Sequence, residues 1–405
     1  YDLHPGRSRI QLNFLIIICN IMKNRFTIIV LAAFSLAPVS LTAQAQSARP
    51  QSVSRSNARF IRIVSLEVHA DQTVTFRYLA PNATKVELSG QFLKKNLPLI
   101  KDDKGVWSVV TGKVKPDIYP YNFIVDGVAV ADPNNVDLFP NERFKGSLLD
   151  VKGKSQSVQD LQNVPHGKVT YAFYHSQSLD LERPLLIYTP PSYSENKRYP
   201  VLYLIHGMTD THETWYKVGR MNNILDNLIA QGKAEPMIVV MPYANAYPAL
   251  MKKDPNTQMN LMSTDLFTNE LLKEIIPYVE TNYYAKTDRD NRAIAGFSLG
   301  GRQTLGAGLG HPDMFAYVCP MAPAVFPQGV AESFQKDYAA PGQLRTLKLL
   351  WIGCGKDDSL YAGAKAMAAE LKKNKVPCET FYTSGGHTWM NCRIYLTTIA
   401  QKLFR

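Results

Sequence analysis

Between about Phe60 and Leu148, apolar and polar positions alternate in short runs broken by turn residues. Thr73-Val-Thr-Phe-Arg-Tyr78 and Lys85-Val-Glu-Leu88 alternate; Lys101-Asp-Asp-Lys-Gly105 is a turn before Val106-Trp-Ser-Val109; Tyr119-Pro-Tyr-Asn-Phe-Ile-Val125 ends at Asp126-Gly127. A period of two predicts strands, and several short ones with no helical period predict a small all-β, immunoglobulin-like sandwich over 60–148. Residues 149–166 are polar and aperiodic and are expected to be a linker. From 167 the pattern changes. Strand candidates Lys168–His175 and Arg183–Thr189 precede continuous apolar runs at Val201–Ile205, Met237–Met241 and Leu347–Ile352, with a last strand at Thr380–Tyr382. Helical spacing fills the gaps, at 221–230, at 265–282 (Leu266, Leu271, Ile275, Val279) and at 361–373, and a closing helix starts near Trp389. Apolar strands alternating with helices predict a mostly parallel sheet covered on both faces over 167–405.

The 405 residues suffice for both parts, and 45% apolar with 20% charged residues is an ordinary globular composition. The first residues change the picture. Met22 reads as a start, Lys23 and Arg25 as a basic lead, Phe26–Leu36 as a short apolar core, and Ala43-Gln-Ala45 as a cleavage site. Together they predict a secretory signal over about 22–45 with an upstream extension, and a secreted or periplasmic mature protein without a membrane span. Residues 1–45 hold four Lys/Arg and one Asp, so cleavage lowers the net charge from +11 to +8. These charges are scattered, with no basic stripe interleaved with aromatics, so no nucleic-acid partner is expected. Cleavage also removes Cys19 and leaves Cys319, Cys354, Cys378 and Cys392, which allow three full pairings. Cys354 lies in an apolar run and is expected in the core, as is Trp107 in its strand pattern. No metal-ligand spacing is present, and neither metal nor cofactor is expected.

The chemistry centres on Arg292-Ala-Ile-Ala-Gly-Phe-Ser-Leu-Gly-Gly301. Glycines two places either side of Ser298 let a strand turn sharply into a helix with the hydroxyl at the apex. A serine hydroxyl needs a base, usually a histidine oriented by a carboxylate. Of the two histidines after Ser298, His311 follows the nucleophile helix too closely to return to it. His387, in Ser384-Gly-Gly-His387 beyond the last strand, is the candidate base. Asp357 and Asp358 follow the strand Leu347–Ile352; Asp358 is the candidate orienting acid and Asp357 the runner-up, either being also suited to cap the next helix. The backbone N–H groups of Leu299 and Met208 are the candidate oxyanion donors. His206 is expected to brace its loop without moving protons. Trp389, Trp215, Tyr243 and Tyr247 are candidate substrate contacts, and residues 243–263 form a loop long enough to cover a cleft.

Two resemblances follow. Val86–Phe92, Gly105–Ser108, Ile118–Tyr121, Val125-Asp-Gly127 and Asp132-Pro133 resemble the early-set sandwich domains related to family 48 carbohydrate-binding modules. Glycan-binding relatives usually carry a tryptophan soon after the position of Phe92; here Leu93-Lys-Lys95 stands there, so a structural or spacing role is expected. Leu204-Ile-His-Gly207, the Ser298 segment, Gly355-Lys-Asp-Asp-Ser-Leu360 and Gly385-Gly-His-Thr-Trp389 resemble the esterase D group of α/β-hydrolases, most closely carbohydrate esterase family 1. That resemblance implies an α/β-hydrolase fold over 167–405 and matches Asp358 and His387 to the family's acid and histidine. Cys392 stands where relatives often carry a second tryptophan.

The resemblance implies a secreted serine esterase that removes hydroxycinnamoyl (feruloyl) groups from plant cell-wall xylan through an acyl-enzyme, with feruloylated or acetylated xylan and xylo-oligosaccharides as its partners. An acetyl xylan esterase and a ferric-siderophore (enterobactin-type) esterase are the enzyme alternatives. A silent glycan-binding protein is the alternative of another class, and retention of Ser298, Asp358 and His387 speaks against it. An aromatic acyl group would need an apolar slot, for which Met208, Tyr243, Met259, Met262 and Trp389 are candidates.

Overall fold

The strand Asp117–Val125 explains how the two halves of the chain meet. Strand side chains alternate between faces. Tyr119, Tyr121 and Phe123 enter a core with Val74, Phe76, Leu88, Trp107 and Leu149. Ile118 instead joins the core of the following segment, as does Leu148 of the neighbouring strand Gly146–Val151. This strand pair is thus buried on both sides. In the computed structural model, which describes residues 63–256 and 263–405, it belongs to a six-stranded sheet facing a four-stranded one. The expected signal segment, Cys19, Met259 and Met262 lie outside the described residues. Among the described residues no helix is long and apolar enough to cross a membrane.

The C-terminal part is an eight-stranded sheet: β1 (Lys168–Ser176), β2 (Leu181–Thr189), β3 (Val201–Ile205), β4 (Ile238–Pro242), β5 (Arg292–Phe297), β6 (Tyr317–Met321), β7 (Leu349–Gly355) and β8 (Glu379–Thr383). Their order is β1-β2-β4-β3-β5-β6-β7-β8. β2 runs antiparallel to both neighbours, and β3 to β8 are mutually parallel. Every residue of β3 to β7 is buried, as expected of strands covered on both faces. The helices used below are α1 (Met221–Ala230), α2 (Leu299–Gly310), α3 (Tyr361–Lys373) and α4 (Trp389–Ala400). The expected helix over 265–282 is broken by a π-helical turn, Leu271–Ile275. Pro277 lies two residues beyond it, and its missing N–H leaves a gap in the regular bonding that the wider turn accommodates. Because β3, β5, β7 and β8 are parallel, the segments leaving them (from His206, Ser298, Lys356 and Ser384) emerge at one edge of the sheet.

The last sandwich strand runs to Val151, a little past the expected boundary at 148. The segment after it is tied to α1: Asn227 Nδ2 donates to the carbonyls of Val158 (2.8 Å) and Asp160 (2.9 Å), and Asn223 Nδ2 to that of Gln159 (3.1 Å), so side-chain amides of α1 satisfy part of its backbone. Sandwich and sheet are further joined by Arg393 of α4, whose side chain is 3% exposed. Its Nε and Nη2 donate to Asp117 Oδ1 (3.1 and 2.6 Å), Nη2 also to Ile118 O (2.7 Å), and Nη1 to Val218 O (2.8 Å). Asp117→Ala would leave a buried guanidinium without its counter-charge. The expected cost is about 2–3 kcal/mol, at the low end for a broken buried pair because Asp117 is partly exposed, to be read from denaturant unfolding.

Candidate functional site

Ser298 is the hinge between β5 and α2. Its backbone adopts φ 62°, ψ −117°, a region that costs a non-glycine residue about 1–3 kcal/mol and survives only where the surroundings impose it. Here its N–H donates to Met321 O (2.9 Å), and its carbonyl accepts from Ala324 N (2.9 Å) and Arg302 N (3.1 Å). Gly300 lets α2 approach the end of β3, since a Cβ there would lie 2.4 Å from His206 O. Leu299, the first residue of α2, therefore starts a twelve-residue helix beside the segment leaving β3.

That segment forms a four-residue turn closed by Asp210 N–H donating to Gly207 O (3.2 Å). It lies against Ser298, because a Cβ on Gly207 would be 3.4 Å from Ser298 Cβ. Thr209, at the third position, has φ 64°, a conformation that a β-branched residue rarely adopts. Met208 precedes it, with its side chain 54% exposed. His206 braces the turn: Nδ1 donates to Gly207 O (2.8 Å), and Nε2 accepts from Ala244 N (3.0 Å). Burial pushes its pKa down to about 4, so the ring stays neutral.

His387 Nδ1 meets Asp358 Oδ2 at 2.7 Å, and Leu360 N–H donates to Asp358 Oδ1 (2.9 Å). Asp358 is 6% exposed, whereas Asp357 is exposed and serves the loop instead. Asp357 Oδ2 accepts from Gly385 N, and its own N–H donates to Gly385 O, both at 3.1 Å. The imidazole of His387 stacks on Phe297, the residue before Ser298, at 4.3 Å between centroids and 25° between planes. With Nδ1 engaged by Asp358, Nε2 is the nitrogen left for proton exchange. A serine on a strained turn, an imidazole oriented by a buried carboxylate and a helix start are the parts that acyl transfer through a covalent intermediate requires.

The aromatic expectations fare unevenly. Trp215 is 1% and Trp389 3% exposed, and they pack edge-on to each other at 5.0 Å. The indole N–H of Trp215 donates to Ile205 O (3.0 Å), and Trp389 lies 5.8 Å from Phe297. Both are corrected from substrate contacts to packing residues, since the core occupies their faces and leaves no ring surface for a ligand. Tyr243 is partly exposed and donates its hydroxyl to Glu142 Oε1 (2.6 Å). Tyr247 starts a short helix, Tyr247–Lys253, within the expected covering loop. Cys392 is wholly buried, and the four cysteines are free. Among the described residues no group of three or more His, Cys, Asp or Glu could hold a metal.

Three residues escaped the sequence reading. Asp210, 5% exposed, has its carboxyl pushed up to about 7 by burial, against the opposing hydrogen bond from Asn141 and the charge of His387. Asn141 and Glu142 come from the sandwich and contact this turn and the segment after β4. The position of Asp210, in the turn that begins at Gly207 just beyond β3, was the available signal. Nothing local marks Asn141, which meets it from 69 positions away.

Comparison with known proteins follows the same two-part layout. The Esterase family matches residues 176–399, and carbohydrate-binding module 48 (isoamylase N-terminal domain) matches residues 65–138. An endo-1,4-beta-xylanase/feruloyl esterase of Xylanibacter ruminicola is 29% identical over 348 residues, 84% of this chain; the chain spans 46% of that relative's length. A CE1 ferulic acid esterase of Anaeromyces mucronatus superposes with TM-score 0.54 at 27% identity, covering 62% of this chain and 96% of its own. The enterobactin esterase of Shigella flexneri shares the fold across 84% of this chain and 94% of its own, with TM-score 0.60 and 18% identity.

The two aspartates separate in a simple assay. Asp358→Asn is expected to lower kcat on p-nitrophenyl acetate by about 10³–10⁴-fold, as loss of an orienting carboxylate does elsewhere. Asp357→Asn should cost no more than about tenfold, because only a loop contact is weakened. The opposite ranking would exchange their roles.

Proposed function

The chain belongs to the Esterase family and is a carboxylic ester hydrolase, and on that premise we propose that it is a secreted serine esterase of α/β-hydrolase fold acting on feruloylated xylan. The observation that carries the mechanism is the 2.7 Å contact between Asp358 and His387, with the imidazole stacked beside the Ser298 turn. In this reading His387 takes the Ser298 proton as the hydroxyl attacks the ester carbonyl. The oxyanion is met by the N–H groups of Leu299 and Met208, and the protonated imidazole then returns its proton to the departing sugar hydroxyl. Water repeats the cycle on the acyl-enzyme, with feruloyl release regenerating Ser298. No metal or cofactor enters this cycle.

The acyl assignment is supported by the Xylanibacter and Anaeromyces relatives, named as feruloyl or ferulic acid esterases, and the sugar by the Xylanibacter relative, whose name also gives an endo-1,4-beta-xylanase. Export is supported by the apolar segment after Met22. The sandwich is assigned a structural role: Trp107 is 8% exposed, and its indole N–H donates to Ala80 O (2.9 Å), so this ring is no sugar platform. The exposed Met208 side chain and the partly exposed Tyr243 are the remaining described candidates for an acyl slot.

Ser298→Ala is expected to abolish ester turnover with an unchanged unfolding midpoint, and residual wild-type rates would sink the mechanism. For the acyl group, kcat/KM on methyl ferulate should exceed that on methyl acetate by about one to two decades. Burial of an aromatic ring in the transition state contributes roughly 1.5–3 kcal/mol. Preference for the acetyl ester would point to an acetyl xylan esterase, and preference for an enterobactin-type trilactone to a siderophore esterase.

A further inference from the structure

The sandwich does more than adjoin the esterase site. Asn141 Nδ2 donates to Asp210 Oδ1 (3.0 Å) and Thr209 Oγ1 (3.1 Å), and Glu142 N–H donates to Thr209 O (2.7 Å). The backbones of Asn141 and Asp210 also pair as an isolated antiparallel bridge. The carbonyl of Pro140 accepts from Thr214 Oγ1 (2.9 Å), just beyond the same turn. Asn141 is itself held, its Oδ1 accepting from the N–H groups of Arg143 (3.0 Å) and Phe144 (2.9 Å). Glu142 reaches the opposite wall, where its carboxylate accepts from Tyr243 OH (2.6 Å) and Asn245 Nδ2 (2.8 and 2.9 Å).

These contacts converge on the weakest point of the Gly207–Asp210 turn. With a positive φ at its third position and not at its second, the turn has the type II pattern, whose third position glycine adopts without strain. The chain has Thr209 there at φ 64°. Asn141 and Glu142 grip its hydroxyl, its carbonyl and the next residue. The orientation of the Thr209 peptide is coupled to that of the Met208 peptide before it, and a Cβ on Gly207 would stand 3.4 Å from Ser298 Cβ. An error in this turn would therefore be felt at the reacting carbon.

We propose that Asn141, with the backbone of Glu142, is a positioning element of the esterase, contributed by the sandwich. It holds Thr209 in its left-handed conformation and so aims the Met208 N–H at the oxyanion. This rests on the reading of Met208 as an oxyanion donor in a Ser298-dependent esterase. Asn141 touches neither substrate nor the reacting atoms, and its effect runs through Thr209 and Asp210. The sandwich, whose residues 65–138 match a carbohydrate-binding module, would then contribute through the loop that follows that match to the rate of hydrolysis of an ester that contains no sugar.

The test uses the full chain and p-nitrophenyl acetate, too small to reach a remote glycan site. Asn141→Ala is expected to lower kcat by about 10–100-fold, the scale for a misplaced or lost oxyanion donor, with KM within about twofold. Adding Thr209→Gly to Asn141→Ala should recover most of that loss, because glycine adopts the turn conformation without a clamp. Asp117→Ala, which breaks a different link between sandwich and sheet, should lower the unfolding midpoint and leave kcat unchanged below it. Wild-type kcat in Asn141→Ala, a loss that Thr209→Gly does not relieve, or an equal loss in Asp117→Ala each overturns the proposal. Ser298→Ala distinguishes the underlying reading: if turnover survives in that variant, the serine-esterase assignment fails, not the clamp.

Discussion

The candidate site is built around two residues whose backbone conformations L-amino acids avoid. Ser298 and Thr209 have φ near +60° and lie in segments that touch. Neither conformation is sustained by local preference. Ser298 is held by backbone bonds from Met321, Ala324 and Arg302, which lie on other elements or a turn further along. Thr209 is held by Asn141 and Glu142 of the sandwich. Strain of this kind persists when surrounding structure over-determines it, and the consequence is pre-organisation. In the proposed mechanism, the Ser298 hydroxyl and the backbone donors then need not be gathered at the moment of reaction.

The parallel sheet supplies the frame. Chain leaving β3, β5, β7 and β8 emerges at one edge, so groups far apart in sequence are neighbours without long loops. Two neutralising arrangements keep the charges there in order. Asp358 is buried but paired with His387, while His206 is buried and kept neutral, which suits a bracing role. Asp210 is the exception, a buried carboxyl whose pKa is raised to about 7 and whose nearest donor comes from the sandwich. An acid in this position is costly to maintain, and the Asn141 amide offsets part of that cost.

This arrangement also alters how the two-part layout is to be understood. Arg393 binds Asp117 from within the closing helix, Ile118 and Leu148 enter the second core, and the segment after Val151 is bonded to α1. The sandwich is thus continuous with the esterase in packing and in hydrogen bonding. An appended module on a flexible tether would show none of these contacts.

The candidate order Ser298, Asp358, His387, the strand-turn-helix around the serine, and the split between alternating and continuous apolar runs could be read from the residues. Each depends on local geometry: a period of two, a period near 3.6, or glycines at a fixed offset. The sequence favoured Asp358 over Asp357 without a local geometric reason, because adjacent residues differ only in which way the folded loop turns them. Burial turned one toward His387 and exposure left the other to Gly385. Trp215 and Trp389 read as loop aromatics, yet each fills space that exists only once strands and helices have packed. The grip of Asn141 on Thr209 and Asp210 joins residues almost seventy positions apart through a short side chain. No pattern along the chain carries such a contact, because it arises from how two sheets settle against each other, and only the tertiary structure decides that.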